Sequence, residues 1–450
     1  MQTPLSPQSS QSLFAGFGFV LRCAIVAGLS IVILVALLSI RGVAADRQQN
    51  RMNAVHSIAA SHAGAQRIAG PVLVVPYEET ERVRTTDEEG RTRTSERRRS
   101  GQWMFFPDSL DMAGTLVPAT RKLGLHEVRV YELQARMDAA FNVELPAEEA
   151  GAERTVGEPW LAYGFADVRG LAGAPKLLVD GKATPLEQGM GAREEAGIHA
   201  RLTQPVAGKP LAFTSRLDFV LAGTETLSVA PLGERTTVAI ESAWPHPRFE
   251  GAFLPRSREV SDGGFKARWE VTALASNAQA QFLSAEAPAV ESIGISMADP
   301  VNPYMQADRA TKYGFLFVLL TFGGFFLFET VKRLPIHPIQ YLLVGLALSI
   351  FFLLLLALSE RIAFGWAYLA ASAGCIGLIG FYLAHVLRSP VRGLGVGAAL
   401  ALLYASLYGL LVSEDNALVL GAGLLFVVLA AAMVATRKVD WYAISRAPRA

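Results

Sequence analysis

Cysteine is almost absent: 450 residues hold two, Cys23 and Cys375, and both lie inside long apolar runs. The polar stretch between those runs has none, so no disulfide framework holds it together; it is long enough to bury a core without one. Histidine is scarce as well, with seven in the chain. His56 and His62 stand six apart rather than one helical turn apart, and His126, His199 and His246 are scattered, which argues against a metal site. There is no G-x-S-x-G, no G-x-x-x-x-G-K-[ST] and no H-E-x-x-H, so catalytic residues, a cofactor and enzymatic activity are not expected. Neither sign of charge dominates: the formal net charge is +1. The one tight basic cluster, Arg97 to Arg99, follows an acidic run and reads as a solvated loop. Nucleic acid, which requires a clustered basic face, is therefore not an expected partner.

What the chain does have is apolar length. Runs at Leu21–Ile40, Tyr313–Phe328, Tyr341–Leu358, Phe364–Leu387, Leu394–Val412 and Leu418–Ala435 are nearly free of charge. A hydrocarbon core of about 30 Å takes roughly 20 apolar residues as a helix. Six spans return both termini to one side. Basic residues then choose the side. Lys332, Arg333, Arg388, Arg392, Arg437, Lys438, Arg446 and Arg449 flank one face, whereas the opposing short loops, Ser359–Ile362 and Ser413–Asn416, hold only Arg361. The termini are expected in the cytoplasm and the polar stretch outside. Val43-Ala44-Ala45 offers a small-residue cleavage site, but the preceding run is too long for a signal peptide and no basic residue comes before Arg22, so an anchor is expected.

The resulting plan is a membrane protein of mixed class. Residues 1–20 form a cytoplasmic N-terminus and 21–40 a transmembrane helix. Residues 41–312 form a large, mainly-β, sandwich-like periplasmic domain with a juxtamembrane helix at 46–68. Residues 313–435 form a bundle of five transmembrane helices, and 436–450 a cytoplasmic tail. From Arg41 to Lys312 there are 31 basic and 35 acidic residues, a net of −4. Strict alternation from Phe265 to Thr272, looser alternation over Leu211–Phe213 and Leu217–Leu221, and turn signals at Asp262-Gly263-Gly264 and Val179-Asp180-Gly181 predict strands packed as antiparallel sheets. Pro71–Tyr77 reads as a buried strand. Glu78–Arg99, charged or Thr/Ser almost throughout, reads as a hairpin projecting into water or as plain disorder, and the alternation of Thr and Arg on its return limb favours the hairpin.

Candidate functional residues fall in two groups. In the segment Ser242–Pro255, Trp244 and Phe249 are interrupted by prolines that rule out a regular central strand. They either cap the β core or form a docking surface for an envelope partner. At the membrane boundaries stand Asp308, Arg309 and Lys312, which would join the domain to the bundle or meet lipid headgroups. Glu329, Arg333 and His337 lie at the opposite boundary, and Glu360 at the outer one. Glu329 needs a partner, and Arg333 stands at helical spacing from it. The glycine sets Gly393, Gly395, Gly397 and Gly374, Gly377, Gly380 predict close helix packing. The spans hold few titratable residues, His385 being the candidate, which weakens a coupled ion pump but leaves a transporter or lipid flippase in the bundle as the alternative.

Several segments together carry a family resemblance: Arg67–Pro76, Ser242–Val271, Asp299–Phe322, Arg333–Glu360 and Thr436–Ser445. In this order they resemble the bacterial inner-membrane CreD family, whose members are also described as cell-envelope integrity proteins. The resemblance covers nearly the whole chain. It implies a bacterial inner membrane, a periplasmic domain and a link to a two-component regulatory system responding to envelope conditions or nutrients. It implies no reaction and no ligand. The segment Ser276–Ile293 is shorter than the family pattern, and Glu78–Arg99 falls in a variable region. Membrane lipids, and a periplasmic or membrane protein, are the partners expected.

Overall fold

The structure, a computed structural model, describes residues 10–86, 92–147, 152–191, 196–204, 210–284, 290–297, 303–332, 337–413 and 416–437. The chain forms two compact units, Met1–Asn50 with Val301–Ala450, and Arg51–Pro300.

The first unit is helical. It takes the greater part of α1 (Ser10–Ser61), which also supplies the first residues of the second unit. A short helix, α2 (Ala278–Leu283), belongs to the second unit. The first is completed by α3 (Pro303–Lys332), α4 (Pro338–Ser359), α5 (Phe364–Val386), α6 (Pro390–Val412) and α7 (Ala417–Thr436). Among the described residues six helices are long and apolar enough to cross a membrane. α4 is the hub: Phe351, Phe352 and Leu355 are buried against Phe317, Tyr368 and Tyr404 from three other helices. α7 is the counter-case, with none of its most apolar window buried.

Glycine sets the helix approach at places other than those expected. A Cβ on Gly345 would fall 2.6 Å from Ile33, one on Gly314 2.9 Å from Phe352, and one on Gly393 2.5 Å from Ala384. Gly374, Gly377, Gly395 and Gly397 face open space, with nothing within 4 Å. Of the two predicted packing sets, only Gly393 makes a close approach, with Gly380 at 4.0 Å from it and from Gly397.

The second unit is a pair of sheets around one core, with the sandwich character expected. The nine-stranded sheet runs Arg248–Gly251, Ile293–Ser296, Thr226–Val229, Gln66–Thr86, Trp160–Phe165, Gly197–Arg201, Glu187–Gln188, and Thr92–Phe105 and Ala152–Val156 also pair with Gln66–Thr86. The eight-stranded sheet runs Ser257–Ser261, Gly264–Thr272, Arg235–Ser242, Ser109–Leu123, His126–Val143, Leu211–Thr224, Leu171–Val179, Lys182–Thr184. Two pairs are parallel, Gln66–Thr86 with Thr226–Val229 and Arg235–Ser242 with Ser109–Leu123, so the sheets are not wholly antiparallel. Alternation puts Phe265, Ala267, Trp269 and Val271 inside and Lys266, Arg268 and Glu270 outside, as the period of two requires.

The charged hairpin forms: Leu73 to Thr86 pair in unbroken register with Phe105 to Thr92, and its tip, 87–91, lies outside the described residues. Its root is braced by Arg154, which bonds Glu79 at 2.8 Å and lies 4.9 Å from the Trp103 ring, itself stacked on Tyr77. The helix expected over 46–68 ends earlier, at Ser61, because Gln66–Ile68 enter the nine-stranded sheet. Val55 and Ile58 of α1 bury against Val128 and Val130. Arg169 donates to the Ala60 carbonyl at 2.6 Å, closing the helix end. Below it, the buried Gln66 side chain bonds the carbonyls of Asp167 and Ala222, both at 2.9 Å.

Candidate functional site

The outward face of the eight-stranded sheet carries an open trough of about 1050 Å³. Register explains it. Ala113 lies opposite both Arg136 and Ala239, Arg136 opposite Asp218, and Ala239 opposite Arg268. Two alanines thus sit side by side on central strands, with long charged side chains on the strands that flank them. Small residues at the centre and long ones at the flanks leave a depression on a sheet face that would otherwise be level. Several of these charges are paired: Arg136 Nε to Asp218 Oδ1 at 2.9 Å, Lys266 Nζ to Glu241 Oε2 at 3.7 Å, and Arg268 Nε to Glu270 Oε1 at 3.2 Å. Thr115 donates its hydroxyl to Glu241 at 3.2 Å. Such a surface can hold an extended polar chain bearing both signs of charge, through hydrogen bonds along strand-spaced rows.

The aromatic candidates stand inside rather than on display. Trp244 is 8% exposed and belongs to the main core. Its indole N–H donates to the His246 carbonyl at 2.9 Å, and the Arg129 guanidinium lies 4.2 Å from the ring centre. Phe249 packs edge-on against Phe265 and Trp269. The prolines shape an edge, as expected, but burial of apolar area decides which way the rings turn, and they cap the core. Trp244 is thus buried and Phe249 half-buried, the arrangement of a cap on the β core.

Four of the boundary candidates, Asp308, Lys312, Glu329 and Glu360, are ion-paired within the helical unit. Glu329 on α3 is 8% exposed; its Oε2 accepts from the Tyr341 hydroxyl of α4 at 2.8 Å, and its Oε1 lies 3.7 Å from Arg22 Nη1 of α1. The expected partner Arg333 lies outside the described residues. Asp308 bonds Arg41 Nε at 2.8 Å and Lys312 Nζ at 2.7 Å, tying α3 to α1. Arg309 lies beside Asp308 in the same helix. Glu360, at the end of α4, meets Arg47 of α1 at 3.5 Å. Sequence reasoning missed α1 as the common partner: Arg22, Arg41 and Arg47 are cations bordering its apolar run, and each finds a carboxylate on a later helix. The signal was there, since a carboxylate at a span boundary calls for a cation on some span. His337 has a local role, as the N-cap of α4: its Nδ1 accepts from Ile339 N–H at 3.3 Å while Gln340 reaches back to its backbone. Among the described residues no three His, Cys, Asp or Glu side chains converge as metal ligands would.

Six apolar helices with carboxylate–cation pairs bordering their spans, together with a large two-sheet unit, define a multi-pass membrane protein. The chain belongs to the CreD family: the family described as "Inner membrane protein CreD" matches residues 18–442. The inner membrane protein CreD of Escherichia coli (strain K12) is 37% identical over 425 residues, which are 93% of this chain and 92% of that one. Among solved structures, an M1 zinc metallopeptidase from Deinococcus radiodurans aligns over 42% of each chain at 9% identity and a TM-score of 0.20, a likeness that carries no argument about fold or function. The protein is thus an inner-membrane protein of the CreD family.

Proposed function

We propose that this protein maintains or senses the state of the cell envelope through its β unit, by binding and without a catalytic step. The trough carries this reading. It is wide and open, floored by Ala113 and Ala239, and Arg136 with Asp218 and Lys266 with Glu241 face one another as ion pairs. In this reading both termini are cytoplasmic, the β unit is periplasmic, and any signal toward a two-component system passes through a second membrane protein. The basic residues flanking the spans support that orientation. The rival, lipid movement through the bundle, has one observation in its favour, an apolar groove of about 950 Å³ between α3, α6 and α7.

The test is complementation in a strain lacking the gene, scored by survival under envelope stress, using the full chain with Ala113→Trp and Ala239→Trp filling the trough. Lost rescue with normal protein level and membrane insertion supports the reading. Full rescue by the filled variant would remove the trough from the function. Location is tested separately by Leu274→Cys, a fully exposed position, with an impermeant thiol reagent on intact cells whose outer membrane has been opened. Labelling supports a periplasmic β unit, and protection until the inner membrane is broken would reverse the topology.

A further inference from the structure

The trough on the eight-stranded sheet is cationic on an acidic unit. Five cations, among them Arg136, Lys176 and Arg268, and three carboxylates line it, a net of +2. The unit that carries it, Arg51–Pro300, holds 27 basic and 33 acidic residues, a net of −6. The positive excess is therefore local to the trough, and among the polar chains such a surface can hold it selects an anionic one.

Register gives the spacing. Arg268, Ala239, Ala113 and Arg136 stand opposite one another on four neighbouring strands. Three steps of about 4.8 Å set the two arginines about 14 Å apart, with only the alanine methyl groups between them. In an extended peptide four residues rise about 13–14 Å, and side chains four positions apart point to the same side. Two such carboxylates reach both arginines while the peptide backbone lies over the alanines. Each arginine spends its Nε on a neighbouring carboxylate, Arg136 on Asp218 at 2.9 Å and Arg268 on Glu270 at 3.2 Å. A guanidinium has five N–H donors, so its terminal nitrogens can serve a second carboxylate. Lys176 stands opposite Asp218 on the next strand, but Asp218 bonds Arg136, and Lys176 makes no ion pair among the described residues. In the adjoining row Thr115 lies opposite Gln134, both line the trough, and their side-chain oxygens can accept from peptide N–H groups. A sugar chain fits less well. The one aromatic ring in the lining, Phe219, is 4% exposed and belongs to the core, so no ring offers a sugar face a platform.

We infer that the trough binds an extended acidic peptide, laid across the strands with carboxylates four residues apart on Arg136 and Arg268. The inference rests on the trough being a binding surface and names what that surface takes.

The experiment is fluorescence anisotropy with the full chain in detergent micelles. The probe is a short threonine peptide carrying a neutral dye and two glutamates four positions apart. Wild type should bind it, more weakly as salt rises. Arg136→Gln and Arg268→Gln should each weaken binding about tenfold, the scale of one charge-assisted contact. Placing the two glutamates side by side should cost a similar factor, and lysines in their place should abolish binding. Ala113→Trp should block the trough, whereas Arg121→Gln, an exposed cation outside the trough, should change nothing. Equal binding of the lysine peptide, no effect of either arginine variant, or tighter binding of an oligogalacturonate would each overturn the assignment. Size-exclusion profiles of each variant show that it is folded. The two readings fail separately. If the variant filled at Ala113 and Ala239 loses rescue but wild type takes no acidic peptide, the trough keeps its function and this inference falls. If the peptide binds but the filled variant rescues fully, the peptide site stands and the trough leaves the function.

Discussion

Replacing Tyr341 with Phe isolates one hydrogen bond inside the helical unit. The ring stays, and with it the edge contacts to Phe322 at 5.8 Å and Phe325 at 6.2 Å. What goes is the hydroxyl that donates to Glu329 at 2.8 Å. A hydrogen bond to a charged group contributes about 1.5–3 kcal/mol, and a buried carboxylate deprived of it loses desolvation compensation as well. The remaining partner cannot substitute: Arg22 is 3.7 Å away and its side chain is 49% exposed. Exposed ion pairs contribute about 0.2–1 kcal/mol, so Arg22→Gln should cost less than Tyr341→Phe by roughly a factor of two or more. Equilibrium unfolding of the full chain in mixed micelles reads both, and the double variant gives their coupling. If Arg22→Gln costs as much as Tyr341→Phe, or Tyr341→Phe costs nothing measurable, then Glu329 is not held in the way described.

Three further outcomes follow from the packing and the charges. Trp244→Ala should destabilise the β unit by about 3–5 kcal/mol and lower protein level, whereas Trp244→Phe should cost distinctly less; normal stability of the alanine variant would return Trp244 to the surface. Gly345→Leu should disrupt the helical unit, since its Cβ falls 2.6 Å from Ile33, while Gly374→Leu should be tolerated; equal thermal stability of the two would contradict that packing. The Asp167 carboxyl is held down at about 2, chiefly by hydrogen bonds from Arg169 and further by the Gly64 and Arg169 backbone N–H groups, against a smaller opposing effect of burial. Its stabilising contribution is therefore whole above the ordinary value of 3.8 and lost as pH falls through about 2. The stability gap between wild type and Asp167→Asn should close across that window, and a gap independent of pH would show that ionised Asp167 does not hold Gly64 and Arg169.

Some of this architecture was legible residue by residue. The spans were, because a run such as Tyr341–Leu358 has no other stable home than hydrocarbon or a protein core. The Glu78–Arg99 hairpin was, because Thr and Arg alternate at the period of a strand. The outward row Lys266, Arg268, Glu270 was, for the same reason. The trough was not: Ala113 and Ala239 are 126 positions apart, and only the parallel register of their strands puts them together. The partners of Glu329 were not, because helical spacing offers Arg333 while the folded unit presents Tyr341 and Arg22. Trp244 among prolines left both core and surface open until its neighbours were in place.

Local chemistry by itself determined that this chain crosses the membrane six times and builds strands between the first and second crossings, since transfer free energy and backbone hydrogen bonding act on consecutive residues. Only the tertiary structure decided which glycines bring helices together and which keep a groove open, because Gly345 and Gly395 differ in nothing but what stands opposite them.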